Sequence, residues 1–139
     1  MNFKSCDYTI VRVVNGPFAA AVAATRSALA TEGFGVLTEI DVQATLATKL
    51  GVAMRPYLIL GACNPALAHR ALEAEPGIGA LLPCNVVLVE NDDDTIAVAA
   101  VDPVAMFAVV ANPALAPIVA DVKDRLARVI AAVAGGAGG

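Results

Sequence analysis

The stretch CNVVLVENDDDTIAVAAV, residues 84–101, sets two apolar runs on either side of an acidic cluster. Short runs rich in Val and Ile around a polar tip read as a β-hairpin, with strands over CNVVLVE and TIAVAAV. Centring the turn on Asp92-Asp93 places Val87, Val89, Ile96 and Val98 on one face. Val86, Leu88, Ala97, Ala99 and Val101 then share the other. Both faces are apolar, whereas an antiparallel sheet ordinarily wets one of them. Such a hairpin requires a sheet covered on both sides. Helices can form one layer, and a second subunit or an enclosed ligand the other.

The remaining chain supplies strands and helices in alternation. CDYTIVRVV reads as a first strand with Tyr8, Ile10 and Val13 as its apolar positions. Asn15-Gly16-Pro17 opens a helix, with Pro17 near the first helical position, where its missing N–H costs nothing. Phe18, Val22, Thr25 and Leu29 form one stripe on that helix. Gly33 ends it, and FGVLTEI is a second strand. Asp41 caps a short helix whose stripe is Val42, Leu46 and Leu50, and Gly51 takes the left-handed terminal position. PYLILGAC is a third strand, after which Asn64-Pro65 starts the helix ALAHRALEAE, stopped before Pro76. Asp102-Pro103 and Asn112-Pro113 repeat that start, the second leading into a long C-terminal helix. Its inward stripe is Val119, Val122, Leu126, Val129 and Val133, with Asp121–Arg125 and Asp124–Arg128 pairs outside. Residues 1–134 read as a single α+β domain, and the Gly-rich stretch 135–139 as a frayed tail.

Composition narrows the function. The net charge is −4, there is no basic run, and only four Phe and two Tyr offer stacking surfaces, which excludes nucleic acid as a partner. Charged residues make up 16% of the chain, well below the usual quarter, so a homodimer is expected. With 30 alanines, the core must be built by a smaller set of Val, Leu, Ile and Phe. Lys4, Asp7 and Arg12 interrupt the N-terminal apolar stretch, and Asn112, Pro113 and Pro117 break the later one, so neither a signal peptide nor a membrane span is expected. Three cysteines with no sign of export point to a reducing cytoplasm.

Familiar catalytic and cofactor motifs are missing: no phosphate-binding Walker loop, no nucleophile elbow, no Cys-x-x-Cys and no His-Glu-x-x-His. No cofactor is expected. His69 reads as an exposed helix residue, Cys6 as an inert thiol, and Asp92-Asp93-Asp94 as too tightly spaced for a calcium loop. Chemistry concentrates instead at Cys63-Asn64 and Cys84-Asn85. The helix after Cys63 travels roughly 16 Å outward. GIGALLP, if extended, brings the chain back about as far. Strand four then runs antiparallel to strand three, and the two Cys-Asn pairs meet at one end of the sheet. Cys63 next to a helix N-terminus favours a thiolate. One reading is therefore a thiol pair for redox exchange or soft-metal binding, Cys63 acting first and Cys84 second, with Asn64 and Asn85 orienting them. A second is a non-enzymatic module holding a small apolar ligand against the second sheet face. A third is an interaction domain whose Cys-Asn pairs are structural turns.

Gly61, Cys63, Asn64, Pro65, Pro83, Cys84 and Asn85, with Glu39/Asp41, Lys49, Asp102-Pro103 and Met106, resemble the pattern of the bacterial and archaeal domain-of-unknown-function family 302. The resemblance covers most of the chain. It implies a curved antiparallel sheet of about five strands with helices on one face, related to the TATA-binding-protein-like fold and commonly dimeric. It implies no reaction. His69 is not part of that pattern.

Overall fold

A computed structural model describes residues 1–133; the tail expected at 135–139 lies outside them. Five strands form one antiparallel sheet in the order β1 (Thr9–Val14), β5 (Ile96–Val101), β4 (Cys84–Glu90), β3 (Tyr57–Cys63), β2 (Gly35–Asp41). The helices are α1 (Phe18–Thr31), α2 (Val42–Leu50), α3 (Pro65–Ala74), the single-turn α4 (Pro103–Met106) and α5 (Ala116–Ala132). The expected α+β architecture holds. No described helix is long and apolar enough to cross a membrane.

The starts of the helices follow from local chemistry. Asp41, Asn64 and Asp102 each accept a backbone N–H at the N-terminus of the helix that follows, and Pro65 and Pro103 occupy the first turn. Asn112 does the same for a 3-10 turn, Pro113–Leu115, that precedes α5 instead of opening it directly.

The core lies between the sheet and α1 and α5. Leu29 of α1 and Leu126 and Val129 of α5 are fully buried against Leu60, Val86, Leu88, Ile96 and Val98 of the three central strands. Ala21, Thr25 and Ala28 let α1 approach closely, and the Thr25 hydroxyl is satisfied by the Ala21 carbonyl at 2.8 Å.

The hairpin register differs from the expected one by a residue. Val86 pairs with Ala100, Leu88 with Val98 and Glu90 with Ile96, so Val86, Leu88, Ile96, Val98 and Ala100 share the helix-covered face. The cause is a three-residue loop. Asn91 N–H bonds Thr95 O at 2.8 Å, Asp94 N–H returns to Asn91 O at 3.0 Å, and Asp94 takes a left-handed φ of 68°. Aspartate tolerates that conformation better than most side chains, so the loop forms without glycine.

On the outer face, Ala99 stands between Val11 and Val87, and Ala97 between Val13 and Val89. Flanked by larger neighbours, both alanines are buried. Val13, Ile40 and Tyr8 remain exposed, so Ile10 and Val14 are the inward residues of β1. α2 buries none of its residues; Leu50 is 69% exposed. The return from α3 is a 3-10 segment, Pro76–Leu81, rather than an extended one. Ile78 anchors it in a second cluster with Leu67, Ala71, Leu115 and Ile118.

Candidate functional site

The end of the sheet where β3 stops and β4 begins is hollow. A cavity of about 360 Å³ is walled by Ala62, Cys63 and Cys84 of the sheet, Leu67, Ala68 and Ala71 of α3, Ile118, Val119 and Val122 of α5, and Phe107. Leu37 and Leu72, both exposed, mark its rim. Leu37 reaches it because the β2–β3 register shifts between Val36 and Thr38, leaving Leu37 without a partner on β3. Small residues on the inner side of α3, Ala68 and Ala71, leave the space unfilled.

Cys84 pairs across the ladder with Ala62, and Cys63 is the next residue on β3. Strict alternation would send Cys63 to the opposite face. It is the last residue of its strand, where the chain turns into α3, and it lines the same cavity as Cys84. Both thiols are free. Burial, and secondarily the neighbouring Cys63, pushes the Cys84 thiol up to about 11. Cys84 is therefore a neutral S–H at physiological pH. Cys6 departs from expectation the other way: its hydrogen bond with the Thr9 hydroxyl, 3.1 Å away, is the chief influence holding its thiol below the ordinary value.

Asn64 is committed to structure. Its Oδ1 accepts the Leu67 N–H at 3.2 Å, and its Nδ2 donates to the Glu32 carbonyl at 3.4 Å. Arg125 donates to that same carbonyl at 3.1 Å, while Arg128 pairs with the Glu32 carboxylate at 2.9 Å. That pairing holds the Glu32 carboxyl below its usual range. Gly33, at φ 81°, passes so close that a Cβ there would lie 2.9 Å from Asn64 Nδ2. Asn64 thus ties the start of α3 to the end of α1.

Asn85 does not orient Cys84 as expected. It is exposed, sits across from Gly61, and alternates to the other side of the sheet. Gly61 has a packing reason instead: a Cβ there would stand 2.8 Å from Pro83 Cγ and collide with the Thr38 hydroxyl. Pro65 is exposed in the first turn of α3. His69 is exposed and paired with Glu73 at 3.0 Å. Among the described residues, no group of three or more His, Cys, Asp or Glu side chains could hold a metal ion.

Sequence reasoning located the cysteines but missed the cavity, which α3, α5 and Phe107 close over the sheet end. The available signal was the pair of alanines, Ala68 and Ala71, on a helix facing the sheet end.

An open antiparallel sheet, helix-covered on one face, with an apolar pocket at one end, defines an α+β domain. Residues 10–133 match DUF302, a domain of unknown function, and the chain belongs to that family. It is similar to an uncharacterized conserved protein DUF302 from Bacillus stearothermophilus, known from a crystal structure. The two are 29% identical and align with a TM-score of 0.85, covering 92% of this chain and 99% of that one. No curated protein matches the chain.

Proposed function

We propose that the protein is a binding module that holds a small apolar molecule in the cavity at the cysteine end of the sheet. The observation that carries this reading is the cavity itself. Its size falls at the lower end of small-molecule pockets, which are mostly apolar with few polar groups. It lies on the helix side of the sheet, not against the second face where the sequence suggested a ligand. The thiol-exchange reading has less support, because Cys84, the thiol that would act second, stays protonated.

Titration with a neutral solvatochromic dye tests the proposal. The wild-type chain should bind one equivalent with a blue-shifted emission. Ala68→Phe places a ring in the void and should abolish binding while leaving the melting temperature close to wild type. Undiminished binding in a folded Ala68→Phe protein would remove the cavity as the ligand site.

Exposed Val13 and Ile40 on the outer sheet face favour a second reading, in which that face meets another copy of the chain. Light scattering should then give a dimer at tens of micromolar, and a monomer there would end the idea.

A further inference from the structure

We infer that Cys63 and Cys84 form a two-sulfur capture site for thiophilic electrophiles bearing an apolar group, with trivalent organoarsenic compounds as the ligand class. This rests on reading the cavity as a ligand site and adds a covalent anchor to it. Three observations converge. First, two free thiols on neighbouring strands line one chamber. Offset by one residue along an antiparallel pair, their Cα atoms lie about 6 Å apart, within reach of a shared atom.

Second, the described residues offer no third His, Cys, Asp or Glu to complete a metal site there. An element that brings its own carbon substituent needs only two sulfurs from the protein. Third, among the described residues no cationic side chain lines the chamber. A two-thiolate complex of a monovalent soft metal would carry a net negative charge into that wall, at a cost. An organoarsenic dithiolate is uncharged, and its organic group occupies the void. An apolar cavity of about 150 Å³ already admits a benzene ring.

The step balances without a redox partner. In R–As=O plus two thiols, the arsenic–oxygen bonds break and two As–S bonds form. Both thiol protons leave with the oxygen as one water, and arsenic stays trivalent. Cys63, the more accessible thiol, forms the first bond. Cys84 closes the second within the chamber, its proton passing to the departing hydroxide.

Phenylarsine oxide on the intact chain tests this. Native mass spectrometry should show one adduct, equal to the reagent less one water, that resists excess monothiol and is removed by a dithiol. Cys63→Ser and Cys84→Ser should each lose that resistance, while Cys6→Ser keeps it. Far-UV circular dichroism and a cooperative thermal melt report that the serine variants are folded. An adduct stripped from wild type by monothiol, or one that survives Cys63→Ser, overturns the capture site even if dye binding stands. Loss of dye binding in wild type would instead sink the ligand reading beneath it.

Discussion

The two ends of the sheet are closed by opposite chemistry. At the hairpin end the contacts are polar and directional. Asn91 accepts the Phe3 N–H at 2.8 Å, the N-terminal amine meets Asp92 at 2.9 Å, and Arg55 bridges Glu90 and Asp94. At the cysteine end the walls are apolar and a chamber remains. Hydrogen bonds fix groups at set distances and draw a loop onto the strands. Apolar contacts have no preferred direction, so helices held elsewhere can leave room between themselves and a sheet.

The contrast should be visible in pH, and the largest effect belongs to the cysteine end. A thiol with a folded value of about 11, against an ordinary 9.0, contributes stability that is complete below about pH 9 and is lost as pH rises through 11. The loss should reach about 2 to 3 kcal/mol. Urea denaturation across that range would show it, and Cys84→Ala should flatten it. An unchanged alkaline limb in Cys84→Ala would mean that this end does not resist charge.

Asn64→Ala should cost about 1 kcal/mol, the usual worth of a lost N-cap. The loss should be measurable by thermal melting and independent of salt, because no ion pair is removed. A null result would show that the Asn64 link between α3 and α1 is dispensable.

The smallest effect lies at the hairpin end. Asp92 is held low by the N-terminal amine and Asp93 by Thr95, so their contribution is present above about pH 3.8 and fades as pH falls through the lowered values. Arg55→Ala should lower the melting temperature slightly in dilute buffer and not at all in about 1 M salt, where the screening length is short. A salt-independent loss would mean that Arg55 acts through its packed stem and not its charge.

What the sequence disclosed, and what it withheld, divides along the same lines. Asp41, Asn64, Asp102 and Asn112 are local signals, each setting a boundary by bonding a backbone N–H two or three residues on, and all four were legible. The meeting of Cys63 and Cys84 at one sheet end followed from comparing outward and return path lengths, although the return proved to be a 3-10 segment. The chamber was not legible, because a void is the joint result of side chains from several elements. Leu50 misled because its periodicity is helical while no element covers its face. Cys6 misled because its partner, the Thr9 hydroxyl three residues on, is set by a local turn that was not read from the sequence.

The loop Asp92–Asp94 matters through its count as much as its charge. An odd number of residues between the ladder-closing Asn91 and Thr95 sets the parity of the hairpin. Were the ladder to close one residue earlier, with Asp94 opposite Asn91, Val86 and Leu88 would stand opposite Ala99 and Ala97, and Ile96 and Val98 would turn away from α1 and α5. The middle of the molecule would exchange its two bulkiest β5 side chains for alanines. Beyond their ion pairs and hydrogen bonds, the three acidic residues thus work as a spacer, keeping the large side chains of β5 on the inside.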